Sequence, residues 1–363
     1  MLSSMRPSFL YAAATALFPL LVTSNTTPSC ESSSPPTTTL PRKATRRAFQ
    51  TSVSAIKGER PYMEDDYIIA GGGRFVGVFD GHGGSKVSLY LRQNLWGTLS
   101  SQLAPKSSNS DPNSDPNSDP NPNSDPNPPS SNSEEAVEGI KTAITAAVGK
   151  IDDDVQMIRH WSFQGSTAVC VYLHTDPITS VTTIISGNVG DSRAVLSRNS
   201  FAVELTKDHK PNDEGEKRRV EELGGKVEWF GFSDKKGNPI EGSGVYRING
   251  NLAVARAIGD RSERPFVSAA VDMKTIKKEN NDEFIILASD GLWDVMTSQE
   301  SVTFINNQLK NSSAMIDTSV SDDRNMIKTA MKKRRRKMAR MLAEEALRRG
   351  STDNVCCIVV WLN

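Results

Sequence analysis

The fold of this chain is indicated most clearly by the stretch Phe75-Val76-Gly77-Val78-Phe79-Asp80-Gly81-His82-Gly83-Gly84. Its five leading apolar residues predict a short buried strand, and the Asp-Gly pair after them predicts a turn. A second stretch repeats the pattern, since Phe284-Ile285-Ile286-Leu287-Ala288 runs into Ser289-Asp290-Gly291-Leu292-Trp293-Asp294. One Asp-Gly pair is most simply a turn, but its recurrence directly after two apolar strands favours a functional site at the strand ends.

Three further segments put acids where a predicted strand begins or ends. They are Met63-Glu64-Asp65-Asp66, Gly190-Asp191-Ser192 and Asp353-Asn354. If these ends meet at one edge of the sheets, the carboxylates repel one another unless cations lie between them. Oxygen ligands without Cys or His select hard ions, so the set predicts Mg²⁺ or Mn²⁺ rather than zinc. Each acid taken alone would more often be a surface residue, so the prediction depends on the set.

The rest of the pattern predicts an α+β fold. Apolar residues at helical spacing predict helices at residues 85–99 and 134–159, and a third through Met341 and Leu347. Strands are predicted at residues 168–173, 181–186, 193–196, 252–255, 284–288 and 355–362. Connections such as residues 187–191 are too short for a crossover helix, so most strands should pair antiparallel.

Two segments are expected to lie outside this fold. Residues 1–47 combine an apolar run at residues 9–22 with a Ser-, Thr- and Pro-rich basic remainder, the composition of a targeting leader. We expect the leader to direct the protein to a plastid or mitochondrion, or to associate with a membrane. Residues 107–133 repeat Ser-Asp-Pro-Asn, and proline at every fourth position forbids helix, so we expect a disordered insert within one domain of residues 48–363.

Charge and cysteine usage narrow the class of protein. The chain has 43 basic and 43 acidic residues, and its first 57 residues hold six of the basic and one of the acidic groups. The mildly acidic remainder indicates no nucleic-acid partner, and we expect a monomer. Four cysteines without Cys-x-x-Cys spacing predict buried thiols in a reducing compartment.

The basic run at residues 332–337 could be a nuclear or anionic-surface signal, although we favour the solvated face of a helix.

Other catalytic classes fail on their motifs. No cysteine is followed after five residues by arginine, so the sequence does not predict a cysteine-based phosphatase. The chain lacks Gly-x-x-x-x-Gly-Lys-Ser/Thr, which a P-loop enzyme needs. It also lacks His-Glu-x-x-His, and its four histidines are scattered at positions 82, 160, 174 and 209, which argues against a zinc hydrolase.

Eight motifs, in order along the chain, resemble those of the protein phosphatase 2C family, the metal-dependent serine/threonine phosphatases. They are Arg60-x-x-Met63-Glu64-Asp65, Phe79-Asp80-Gly81-His82-Gly83-Gly84, Gly165-Ser166-Thr167-Ala168, Gly190-Asp191-Ser192-Arg193, Asp208-His209-Lys210-Pro211, Leu252-Ala253-Val254-x-Arg256-Ala257-x-Gly259-Asp260, Ser289-Asp290-Gly291-Leu292-Trp293-Asp294 and Gly350-Ser351-x-Asp353-Asn354. The resemblance covers about residues 50–363 apart from the insert. It implies a four-layer α/β/β/α sandwich of two antiparallel sheets flanked by helices, with a binuclear metal site at one end.

The resemblance also implies roles for individual residues. Asp80 would bridge two Mg²⁺ or Mn²⁺ ions, and Gly81 would offer its backbone carbonyl to the second ion. Asp290 and Asp353 would bind the first ion, while Glu64 and Asp65 would act directly or through water. Asp191 and Asp294 match a weaker third metal site. Arg60 would bind the substrate phosphate and His82 would be the general acid. The implied reaction is hydrolysis of phosphoserine or phosphothreonine in phosphorylated protein substrates by a water bridging the metals, without a phosphoenzyme.

A pseudophosphatase of the same fold, acting as a regulatory binding module, is the alternative. Such a protein should have lost ligand carboxylates, and here every matched position is filled, so we favour the enzyme. The chain departs from the family pattern in a longer flap at residues 226–250 and in Ala255, where serine is frequent. For Trp229 in the flap we predict a packing role.

Overall fold

The computed structural model describes residues 49–103, 133–314 and 323–363. The leader, nearly all of the predicted insert and Cys30 lie outside the described residues. The strands are β1 (Gln50–Ile56), β2 (Asp66–Ala70), β3 (Phe75–Phe79), β4 (Gly81–His82), β5 (Gly165–Ser166), β6 (Ala168–Thr175), β7 (Thr182–Val189), β8 (Arg193–Arg198), β9 (Phe201–Glu204), β10 (Val227–Ser233), β11 (Pro239–Ile248), β12 (Ile258–Gly259), β13 (Asp272–Lys277), β14 (Asp282–Ala288) and β15 (Val355–Trp361). The helices are α1 (Lys86–Leu103), α2 (Ser133–Gln156), α3 (Glu214–Glu222), α4 (Asp290–Trp293), α5 (Ser298–Ala314) and α6 (Asp323–Arg348), with 3₁₀ turns at Arg159–Trp161 and Arg261–Glu263.

Two five-stranded antiparallel sheets form the centre of the fold. The first has the order β1-β15-β14-β8-β9 and the second the order β13-β7-β6-β3-β2. Every named pair of strands in both sheets is antiparallel, as the short connections predict. A three-stranded ladder, β12-β5-β4, and the hairpin β10-β11 complete the strands.

The alternation of side chains along the strands produces the layers. On β3, Val76 and Val78 pack between the two sheets, whereas Phe75 and Phe79 point to the other face. There they meet α1 and α2 in a core that includes Leu95 from α1. The first sheet buries its outer face against α5 and α6 in the same way. The predicted α/β/β/α sandwich is therefore confirmed, and it is fixed by strands that are apolar on both faces.

The sequence pattern located most of the core elements, but one predicted strand is wrong and the bounds of one helix differ. Residues 252–255 do not form a strand, since only an isolated bridge joins Leu252 to Ile248. The segment serves instead as irregular backbone that carries Arg256 to the carboxylate of Glu216. Helix α2 begins at Ser133, which the predicted insert had included, and it ends at Gln156 rather than at residue 159.

The predictions for the cysteines and for Trp229 can also be checked. Cys170, Cys356 and Cys357 are buried free thiols, as predicted. The flap is the hairpin β10-β11, and Trp229 packs on Tyr246 across it with ring centroids 5.1 Å apart, which confirms its packing role. Among the described residues we find no helix that is both long and apolar enough to cross a bilayer.

Candidate active site

Asp80 stands directly after β3, and its backbone is fixed from a neighbouring strand end. Its N–H donates to Thr167 Oγ1 at 3.1 Å, and the N–H of Thr167 donates back to the Asp80 carbonyl at 2.8 Å. Thr167 Oγ1 also lies 2.7 Å from Ser192 Oγ, next to Asp191. Thr167 therefore ties two of the acidic strand ends to each other.

The end of β14 is joined to Asp65 in a similar way. Ser289 Oγ donates to Asp65 Oδ2 at 2.7 Å, while the N–H of Cys356 on β15 donates to the same Ser289 oxygen at 3.0 Å. Asp290 follows as the first residue of α4. The serine thus holds Asp65 beside Asp290, although Asp65 and Ser289 lie 224 residues apart in the sequence.

Asn354 brings the segment with Arg60 and Glu64 to the same edge. Its amide Nδ2 donates to the carbonyls of Lys57, at 2.7 Å, and Tyr62, at 3.0 Å, while its Oδ1 accepts from the N–H of Glu64 at 2.7 Å. The neighbouring Asp353 accepts from Arg60 Nη2 at 2.5 Å. A single amide side chain therefore sets the position of the candidate phosphate-binding arginine relative to the acids.

Gly81 has no room for a side chain. A Cβ at this position would lie 2.5 Å from the Glu64 carbonyl oxygen and 2.8 Å from Ser88 Oγ. Ser88 Oγ already donates to that carbonyl at 2.5 Å, so neither neighbour is free to move away. The close approach of two backbone segments is what requires glycine here.

Like charges dominate the electrostatics of the cluster. Burial, together with the charges of Asp290 and Asp353, raises the pKa of Asp65 to about 7 despite the bond from Ser289. The pKa of Asp80 is raised well above its ordinary value by burial and then by Asp65 and Asp191. Burial and Asp80 do the same for Asp290. All these groups are oxygen donors, so the set fits hard divalent cations, which would relieve the repulsion. Among the described residues, no group of three or more His, Cys, Asp or Glu side chains is arranged so that it could hold a metal ion.

Lys210 occupies the space between Asp191 and Asp294. Its Nζ lies 3.2 Å from Asp191 Oδ2 and 4.0 Å from Asp294 Oδ1. Burial lowers the pKa of this amine, but the charges of the two acids outweigh it and the net shift is upward. His209 positions the lysine, because its backbone N–H and its Nδ1 bind the carbonyl and N–H of Gly190, directly before Asp191. Asp191 and Asp294, the side chains expected to bind a third metal ion, are therefore already paired with the ammonium group of Lys210.

We expect Lys210→Met to make the protein more dependent on divalent ions for stability. The substitution keeps the apolar stem but leaves two acids without a cation, which should cost about 1 kcal/mol because the amine is partly exposed. The unfolding temperature without metal should fall, and Mn²⁺ should raise it by more than in the unmodified protein. Lys150→Met, which removes a cation paired with Asp154 on the exposed face of α2, is the control. An equal Mn²⁺ response in both variants would contradict this account of Lys210.

His82 is held by Asp260 through the register of the small ladder. His82 on β4 pairs with Gly165 on β5, which pairs in turn with Gly259 on β12, one residue before Asp260. His82 Nε2 lies 2.6 Å from Asp260 Oδ2, and a Cβ on Gly165 would lie 2.0 Å from that oxygen. Burial lowers the pKa of the imidazole, but the bond and the charge of Asp260 outweigh it, so the pKa is raised overall.

The structure thus gathers every residue that the sequence singled out: Arg60, Glu64, Asp65, Asp80, Gly81, His82, Asp191, Asp290, Asp294 and Asp353. Sequence reasoning assigned no role to the residues that position them, namely Thr167, Lys210, Asp260, Ser289 and Asn354. All five lie inside the quoted motifs, so the motifs contained them. Their roles appear only in contacts between segments far apart in sequence.

The fold and the acidic strand ends define a class, the four-layer α/β/β/α sandwiches with an all-oxygen cluster at one end. A model of the protein phosphatase 2C family matches residues 70–355, and the chain belongs to that family. It is 31% identical over 320 residues to probable protein phosphatase 2C 11 of Arabidopsis thaliana and 31% identical over 318 residues to probable protein phosphatase 2C 7 of Oryza sativa subsp. japonica. The matches cover 86% and 85% of this chain but 66% and 64% of those relatives.

A solved structure agrees on the fold. The crystal structure of serine-threonine phosphatase 2C from Toxoplasma gondii aligns with 87% of this chain and 95% of that chain, with a TM-score of 0.57 and 22% sequence identity. At this identity the likeness concerns the fold alone.

Proposed function

We propose that this protein is a metal-dependent protein serine/threonine phosphatase. The observation that carries the proposal is the cluster of Asp65, Asp80 and Asp290. Burial and mutual repulsion raise the pKa values of these three carboxyl groups, and their side chains can offer a metal only oxygen ligands. Membership of the protein phosphatase 2C family supports the same conclusion. No described acid of the set has been replaced, which is why we prefer an enzyme to a pseudophosphatase.

In this proposal two Mg²⁺ or Mn²⁺ ions are held by the acidic cluster. The residues that would hold them are Asp80, the Gly81 carbonyl, Asp290 and Asp353, with Glu64 and Asp65 acting directly or through water. Asp191 and Asp294 would hold a weaker third ion. Such ions supply an activated water and neutralise phosphoryl charge, so that the protein needs no covalent nucleophile. What remains for the chain's other residues is to bind the phosphate and protonate the leaving group.

Arg60 and His82 carry out those two tasks. The Arg60 guanidinium, half exposed and paired with Asp353, has the fork geometry that binds two phosphate oxygens at once. His82 has Nε2 bound to Asp260, which leaves Nδ1 to protonate the departing serine or threonine oxygen. That oxygen is strongly basic when it leaves, so its protonation contributes on the order of 10²–10⁴ in rate.

The proposal is tested with the full chain and a phosphothreonine peptide. We expect phosphate release in Mn²⁺ or Mg²⁺ that stops with excess chelator and returns when metal is added back. A folded, metal-loaded protein that releases no phosphate from a panel of phosphoserine and phosphothreonine peptides would favour the binding module instead.

A further inference from the structure

The basic run on α6 is divided by the structure into an inner and an outer part. Arg335 turns inward, with its guanidinium 4.8 Å from the ring centroid of Trp361, and it donates to the Asn363 carbonyl at 2.9 Å. Arg334 is also partly buried and donates to Gln308 on α5. These two arginines therefore help to pack the helix, and they do not account for the remaining cations.

The other cations of this part of α6 point outward. We call Lys328, Lys332, Lys333, Arg336 and Lys337 the basic surface; all five side chains belong to exposed residues. They occupy two rows at helical spacing four, so each row brings like charges together, which destabilises a helix. Among the side chains that the structure describes, no carboxylate forms an ion pair with any of the five.

Several cations on α2 and α3 are paired with acids. Lys141 pairs with Glu138 and Lys150 with Asp154 on α2, and Arg218 pairs with Glu214 on α3. The last turns of α6 itself follow the same rule, since Arg340 pairs with Glu344 and Arg348 with Glu345. Among the described side chains, the basic surface is thus a concentration of positive charge without paired carboxylates, and a solvated helix face alone does not require it.

The basic surface lies toward the end of the sandwich opposite the acidic cluster. β15 begins beside Asp353 and ends at Trp361, where Arg335 is packed, so the basic run lies near the far end of β15. From Arg336 to Gly350 the chain rises about 20 Å, at 1.5 Å per helical residue. An extended polypeptide covers that distance with about six or seven residues.

The chemistry of this face favours a protein partner. In the described parts of α5 and α6 no large apolar or aromatic side chain is exposed. A membrane-bound helix needs such anchors, and single-stranded nucleic acid needs aromatic rings for stacking, whereas charge alone suits a flexible acidic polypeptide. We propose that the basic surface docks an acidic segment of the phosphoprotein substrate, rich in carboxylates or further phosphates. The segment would lie at least about six residues from the phosphoresidue in the active site.

Naming the partner a substrate rests on the proposed function, but the docking itself can be measured without catalysis. The probe is a fluorescent peptide with a phosphothreonine, an eight-residue neutral spacer and six glutamates; a second peptide replaces the glutamates with glutamines. The variant K332Q/K333Q/R336Q/K337Q removes four charges and keeps good helix formers. The control K141Q/K150Q/K217Q/R218Q removes four charges that are paired on α2 and α3.

Binding of the acidic peptide in chelator, followed by anisotropy, should weaken about tenfold in the basic-surface variant, because several exposed pairs are lost together. It should be nearly unchanged in the control, and the preference over the glutamine peptide should shrink at high salt. In metal, KM for the acidic peptide should rise by a similar factor while kcat, and both constants for the glutamine peptide, stay constant.

Binding without hydrolysis would retain the docking surface and refute the proposed function. Equal losses in both quadruple variants would overturn the docking proposal. Tighter, charge-dependent binding to phosphatidylserine vesicles or to duplex DNA than to the acidic peptide would also overturn it, in favour of a membrane or a nucleic acid.

Discussion

The Asp80→Asn variant is expected to lose phosphatase activity by about 10³-fold or more, since the residue proposed to bridge both ions is replaced by a neutral, weaker ligand. Without metal, the same variant should be more stable than the unmodified protein by about 1 kcal/mol or more. This gain is expected because one of several mutually repelling carboxylates has been removed. The measurements are initial rates on a phosphothreonine peptide and thermal unfolding in chelator.

Asp153→Asn is the matched control, since Asp153 is exposed on α2 and forms no ion pair among the described side chains. It should change neither activity nor stability appreciably. Asp80→Asn protein that kept a tenth of the activity, or that was destabilised in chelator, would contradict the assignment of Asp80 to a metal-binding cluster.

The His82→Gln variant should lose 10²- to 10⁴-fold in kcat on phosphoserine and phosphothreonine peptides, the range expected for loss of a general acid. An aryl phosphate, whose leaving group is weakly basic, should be hydrolysed nearly as fast as by the unmodified protein. This contrast separates proton donation from a general disturbance of the site, which would slow both substrates.

Two further variants sharpen this prediction. Asp260→Asn keeps the shape of the partner that binds His82 Nε2 but removes its charge. It should therefore also slow hydrolysis of the peptides more than that of the aryl phosphate, but by a smaller factor than His82→Gln. His160→Gln, at an exposed histidine in a 3₁₀ turn, should behave like the unmodified protein. Equal losses on peptide and aryl substrates in His82→Gln would rule out the assigned role.

The sequence was most informative where strands are buried on both faces. β3 was predicted to the residue, and β14 and β15 nearly so, because continuous apolar runs flanked by turn residues have few alternative structures. The acids at their ends could be identified for the same reason: a carboxylate directly after a fully buried strand has a known position. Local pattern therefore predicted the buried strands and the acids at their ends, whereas the four-layer sandwich was implied by the family resemblance.

Contacts between distant segments could not be predicted from the pattern. The apolar residues 252–255 suggested a strand, yet their backbone serves the loop that carries Arg256, and this depends on tertiary pairing with Glu216. The bond between His82 and Asp260 spans 178 residues and follows from the register of a ladder with two-residue strands. No period in the sequence reveals strands so short.

The central claim is that the acids at the strand ends bind divalent metal, and direct counting of bound Mn²⁺ tests it most closely. In a calorimetric or electron paramagnetic resonance titration of the full chain, we expect two tightly bound ions and a weaker third. The Asp80→Asn variant should lose at least one of the tight ions, and Asp153→Asn should lose none. A full chain that binds no Mn²⁺, or an Asp80→Asn variant that binds it as the unmodified protein does, would contradict the claim.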